Sequence, residues 1–184
     1  MNMTAATRIP GYVAGTWDID VAHSSVGFAV RHLMVSKVRG TFAAFSGEIV
    51  TGENLEDSHV TATVDASSLT TGAEQRDNHI RSADFFAVET HPTWEFRSTA
   101  VRQDALEGEL TIKGVTRPVT FDLEFTGFGK DPWGGTRAGF SATTTINRND
   151  FGVDTTLPIE GGGVVVGEKV TIALEIEGVL RTAG

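Results

Sequence analysis

Five histidines, His23, His32, His59, His79 and His91, are the side chains of this sequence best suited to proton transfer or metal ligation. No pair of them has the HExxH pattern or the close helical spacing that presents two imidazoles to one ion, so no metal site is expected. A histidine beside Asp77 or Asp84 could act as an acid–base pair. The rest of a mechanism is missing, because nucleophile-elbow and phosphate-loop patterns are absent. Gly161-Gly162-Gly163 lacks the lysine and hydroxyl residue of a phosphate cradle, and Pro132 stands where Gly127-Phe128-Gly129 would need a third glycine. The chain has no cysteine, which removes thiol catalysis, disulfides and thiolate metal sites. No catalytic residue and no cofactor are predicted.

The elements that must position these residues are strands. Apolar and polar residues alternate with period two, the signature of a half-buried strand. Val26, Phe28 and Val30 alternate in this way, as do Val60, Ala62 and Val64, then Trp94 and Phe96, and Leu106, Leu110 and Ile112. Val119, Phe121, Leu123 and Phe125 follow, then Phe140, Ala142 and Ile146, and finally Val170, Ile172, Leu174 and Ile176. With an opening run over 13–19, about nine strand-like runs are present, and turn residues at 103–105, 113–114 and 129–135 join the later ones into a meander. The apolar parity changes between Val38 and Ile49, which predicts a β-bulge near Ala43-Ala44. Two segments break the period. Thr71-Gly72-Ala73-Glu74 reads as a capping box opening a short helix over 74–82, and 148–167 reads as a long loop. The pattern predicts one all-β domain over 1–184, with 1–11 a flexible extension, built as a barrel or a sandwich.

Composition narrows the partners. Of 184 residues 40% are hydrophobic, enough for a core, yet no run approaches the length of a membrane-spanning helix. Lys and Arg total 15 against 24 acids, a formal charge of −9, so neither nucleic acid nor an anionic membrane surface is an expected partner. The opening residues lack the basic and apolar regions of a secretory signal, which predicts a cytoplasmic location. Eleven phenylalanines against a single tyrosine suit an apolar interior better than a polar pocket.

Several segments, in order and spanning nearly the whole chain, resemble the YceI-like family. They are Trp17-Asp18-Ile19-Asp20-Val21-Ala22-His23-Ser24, Arg31-His32-Leu33, Val38-Arg39-Gly40-Thr41-Phe42, Ser67-Ser68-Leu69-Thr70-Thr71-Gly72, and the specific stretch from Arg76-Asp77-Asn78-His79 to Phe85-Phe86. His91-Pro92-Thr93-Trp94-Glu95-Phe96, the stretch 108–116 and Asn147-Arg148-Asn149-Asp150-Phe151-Gly152 complete the set. The resemblance implies an extended eight-stranded antiparallel β-barrel, lipocalin-like, with one short helix between strands, enclosing an apolar tunnel for an isoprenoid lipid. Many members of the family are periplasmic.

A polyprenyl tail makes no hydrogen bonds, so its affinity must come from apolar area removed from water. Residues of inward parity expected to line the tunnel are Phe28, Val30, Phe42, Phe96, Leu110, Phe121, Leu123, Phe125, Phe140, Ile172 and Leu174, with Phe85 and Phe86 as a lid or a plug at one end. His23, His32, Arg76 and His79 are expected either to brace a barrel mouth or to meet a quinone or phosphate head group. The expected function is binding, storage or transport of a long-chain isoprenoid, a polyprenyl compound or an isoprenoid quinone, by a protein that is not integral to a membrane. A solid-core barrel acting through a protein partner, for example in a stress response, and a small hydrolase or isomerase built on the histidines are the other readings. A homodimer is compatible with all three.

Overall fold

The computed structural model describes residues 8–32, 35–155 and 166–182. The period-two runs, together with the two-residue strand Leu69–Thr70 outside them, form eleven strands among the described residues: β1 (Gly15–Ile19), β2 (Ser25–His32), β3 (Ser36–Phe42), β4 (Phe45–Thr51), β5 (His59–Asp65), β6 (Leu69–Thr70), β7 (Thr93–Val101), β8 (Ala105–Ile112), β9 (Val115–Lys130), β10 (Thr136–Asn147) and β11 (Val166–Leu180). Helix α1 covers Glu74–Arg81. Eight strands, ordered β1-β4-β5-β7-β8-β9-β10-β11, close into an antiparallel barrel when β11 pairs back onto β1. The other three, β2, β3 and β6, continue outward from β11. The expected eight-stranded barrel is therefore the fold, with three strands more than the ring requires.

The extra strands arise because three stretches of chain are bent. One edge of β11 serves two partners: Val166 to Glu175 pair with β2, and Gly178 to Leu180 pair with β1. β1 and β2 are thus one strand interrupted by the 3-10 turn Val21–His23. Beside them, β3 pairs with β2 while β4 pairs with β1, and then β6 pairs with β3 while β5 pairs with β4. The parity change falls at Ala43-Ala44 as predicted. It is a bend between strands with different partners, not a bulge inside one ladder.

Polar side chains replace the ladder where it is interrupted. At the β1–β2 corner the Asp20 amide donates to the Glu177 carbonyl, and the Glu177 amide donates to the Ser24 hydroxyl. The Arg137 guanidinium lies 2.8 Å from Asp20, 3.0 Å from Asp131 and 2.9 Å from Glu177, so one cation from β10 holds the corner, the β9–β10 turn and β11 together. Trp17, fully buried, donates its indole N–H to the Thr51 hydroxyl at 2.8 Å and pins β1 to the end of β4.

The helix forms over the predicted residues by a different device. Ala73 is its N-cap and makes no side-chain cap bond, so the expected capping box is not formed. Gly72, at φ +86°, turns the chain between Thr71 and the helix. That turn carries Thr71 beyond capping reach, and the buried Asp77 carboxylate accepts from both the Thr71 amide and its hydroxyl instead. Burial opposes ionisation of Asp77, but these hydrogen bonds prevail and hold its carboxyl below the ordinary value.

The last part of the segment 1–11, expected as an extension, packs on the barrel. Ile9, 7% exposed, joins the main core, and Tyr12 packs on Phe128 at 5.4 Å while its hydroxyl donates to the Gly52 carbonyl. The cause is apolar burial that the short Ile9-Pro10-Gly11-Tyr12 run gives no period to reveal. Residues 1–7 lie outside the described part, as does the triple glycine at 161–163. Among the described residues no helix is long and apolar enough to cross a membrane.

The corner cluster sets an acid limit on stability. Hydrogen bonds from Arg137 and His23 lower Asp20 to about 2, and hydrogen bonds from the Gly135 amide and Arg137 hold Asp131 below its usual value. Depressed carboxylates stabilise the fold above their unfolded value of about 3.9 and lose that contribution as pH falls toward the folded value. The melting temperature should therefore drop as pH is lowered from about 4 toward about 2. Asp20→Asn should flatten that limb in a pH series of thermal melts while lowering the plateau at neutral pH.

Candidate functional site

Alternation sends one side of every barrel strand inward, and the inward side chains do not fill the space. A cavity of about 130 Å³ remains at the centre, with almost no polar surface. Phe96, Leu110, Phe121, Phe140, Ile172 and Leu174 are among its walls. Its width depends on two glycines beneath rings. A Cβ on Gly108 would stand 2.4 Å from the Phe96 ring, and one on Gly40 would stand 2.3 Å from the Phe28 ring. Each glycine lets a phenylalanine lie against the backbone of the neighbouring strand.

A second cavity, of about 150 Å³, opens at the helix end between α1, β2, β3, the segment after β10 and the start of β11. Its apolar walls include Val30, Ile80, Phe85, Phe86 and Val170. Every polar residue that lines it is basic or an imidazole: Arg31, Arg76, His79 and Arg148. Among the described residues no carboxylate lines it, in a chain whose net charge is −9.

Arg148 is the most committed of these side chains. It is 4% exposed, and its guanidinium donates to the carbonyls of Val153, Val166 and Gly167. Burial lowers its pKa below the ordinary arginine value, with Glu168 and Asp154 acting in the opposite direction. Arg76 is held by Thr71, donating to its hydroxyl at 2.7 Å and its carbonyl at 3.0 Å. His79 lies 3.0 Å from the Asp84 carboxylate and sets its ring edge-on to Phe85. This pair is exposed, and the hydroxyls bonded to these two residues, those of Ser82 and Thr155, meet their main-chain groups and not the imidazole or the carboxylate.

All thirteen residues expected to line a tunnel line one cavity or the other. Phe42, Phe96, Leu110, Phe121, Leu123, Phe125, Phe140, Ile172 and Leu174 face the central one; Val30, Phe85 and Phe86 face the second; Phe28 faces both. Arg76 and His79 meet at the second cavity. His23 does not join them. It stands at the β1–β2 corner, 2.8 Å from Asp20, with the eight residues of β2 between it and the helix end, roughly 25 Å at strand rise. Its segment is needed for the corner, which is why a motif residue there braces the fold. His32 closes β2, but its side chain lies outside the described part. Asp20, His23 and Glu177 are the one trio of metal-ligating groups that comes together among the described residues, and Arg137 already bonds both carboxylates.

Sequence reasoning missed Arg148 and Arg31 as cavity residues, although both stood in quoted segments. It also missed Trp94, Ile49 and Val60 in the central wall, for which period two gave the signal.

The match to known proteins covers the same ground as this geometry. A family model described as the YceI-like domain matches residues 17–178. The chain therefore belongs to the YceI-like family. A UPF0312 protein of Staphylococcus epidermidis is 39% identical over 163 residues, covering 88% of this chain and 95% of its own length. Among solved structures, BcnA of Burkholderia cenocepacia superposes with a TM-score of 0.74 at 23% identity, over 87% of this chain and 99% of BcnA. A domain from Saccharophagus degradans, described as polyisoprenoid binding and implicated in plant cell wall breakdown, superposes at 0.67 with 13% identity over 92% and 100% of the two chains. At these identities the two structures establish the shared fold.

Arg148→Met keeps the buried stem and removes the donors, leaving three carbonyls to find other partners. It should cost roughly 2–4 kcal/mol of stability in urea denaturation.

Proposed function

We propose that this chain binds a long isoprenoid lipid, with the tail in the barrel interior and the polar head at the basic helix end. The observation that carries this reading is the pairing of an almost wholly apolar central cavity with a neighbouring cavity whose polar wall, among the described residues, is basic or imidazole. The first suits a hydrocarbon tail and the second suits a phosphate or a quinone carbonyl. A structural neighbour described as a polyisoprenoid-binding domain adds support from outside the chain.

Each buried carbon contributes about 0.8 kcal/mol, so a five-carbon unit offers roughly 4 kcal/mol gross, reduced by the ordering of the tail. No acid–base or nucleophilic step is needed for this role. The second reading, a packed barrel acting through a protein partner, draws on the modest size of the cavities. An engineered cavity of about 150 Å³ holds a benzene ring, so each chamber at rest has room for about one five-carbon unit.

Native mass spectrometry of the purified protein, followed by organic extraction, decides between the two. Adducts differing by prenyl units are expected. An unliganded mass, with no uptake of added polyprenol or long-chain quinone, would favour the packed barrel. Ala62→Phe places a ring in the central chamber wall. It should lower polyprenol uptake at least about tenfold while the protein still melts cooperatively.

A further inference from the structure

We propose that Phe28 is a gate between the two chambers and that it sorts isoprenoid ligands by chain length; this rests on the lipid-binding reading above. Phe28 is the one described residue that belongs to the walls of both cavities. It heads a row of rings running across the barrel from β2 to the segment after α1. Phe28 meets Phe42 at 5.7 Å, Phe42 meets Trp94 at 4.8 Å, and Trp94 meets Phe86 at 5.0 Å. Phe42 and Trp94 face the central chamber, and Phe86 faces the outer one. These four rings form one contiguous row that borders both chambers.

Within it Phe28 is the ring placed to move. It lies against Gly40, with no side chain between it and the β3 backbone. It carries no polar group, so turning it breaks no hydrogen bond. Among the described lining residues the basic and imidazole groups belong to the outer chamber alone, which fixes where a head group rests and directs the tail at the row of rings. A ligand whose tail is about one five-carbon unit fits the outer chamber with Phe28 in place. Anything much longer has to displace the ring to reach the central chamber. Short prenyl compounds therefore bind in one step, and long ones wait on the turning of Phe28.

The test is a stopped-flow series on the whole protein with the five-carbon alcohol 3-methylbut-2-en-1-ol, geranylgeraniol and solanesol, delivered from the same detergent and read by tryptophan emission. The wild-type association rate should fall steeply from the five-carbon alcohol to solanesol. In Phe28→Leu, which keeps a branched apolar side chain in the core, the ratio of the solanesol rate to that of the five-carbon alcohol should rise at least about tenfold. Phe28→Ala should go further in the same direction. Gly40→Ala pushes the ring away from β3 and across the barrel, and should slow solanesol alone. Should wild type load all three alcohols at one rate, or Phe28→Leu keep the wild-type ratio, the gate is wrong and lipid binding stands. Should wild type take up none of them, and extraction yield no lipid, both ideas fall.

Discussion

One edge of β11 determines how the rest of the barrel is arranged. A closed sheet must give every strand two neighbours, because an unpaired edge leaves a row of backbone donors and acceptors without partners. Here β11 is longer than any single partner on that edge, so β2 takes its first part and β1 its last. The bend between them passes to β3 and β4 and then to β5 and β6. The strands set off by these bends, β2, β3 and β6, lie at the helix end, where α1 and the segment after it line the outer chamber. The outer chamber lies there because the sheet alone does not close that end.

The interior follows from residue size along those strands. Phenylalanine supplies the apolar area, and glycine on the adjoining strand decides where a ring can lie. Phe28 over Gly40 and Phe96 over Gly108 are two uses of one device, the first in the row of rings and the second in the central wall. A barrel with alanine at both glycines would have its rings forced inward and its central space filled. The shape of the apolar interior thus depends as much on missing side chains as on present ones.

The strands, the helix limits and the inward-facing apolar residues were legible in the sequence, because period two reports directly which side of a strand is buried. The bend at Ala43-Ala44 was legible for the same reason, as a change of parity. Features that depend on contacts distant in sequence were not. His23 looked like a companion of His79 because both stand in motifs, whereas its segment serves the pairing of β1 and β2 with β11. Arg148 read as a loop residue, and only the approach of Val166 and Gly167 shows the carbonyls it satisfies. Thr71 had the spacing of a capping residue, but the left-handed turn at Gly72 gave its hydrogen bonds to Asp77. Ile9 belonged to no periodic run, and its burial is a property of the barrel end it covers.

The shared edge also orders events in time. β11 is the last strand of the ring, and it joins strands that begin at Gly15. Contacts so far apart in sequence form late, since the intervening chain must first be drawn together. On a ribosome the ring stays open until the residues near Leu180 have emerged, and meanwhile the phenylalanine faces of β2 to β10 have only one another to cover them. The meander from β7 to β10 pairs locally and can be in place early. Completion of the vessel is thus tied to completion of its final strand, and a chain cut short before β11 would present an open apolar trough in place of an enclosed one.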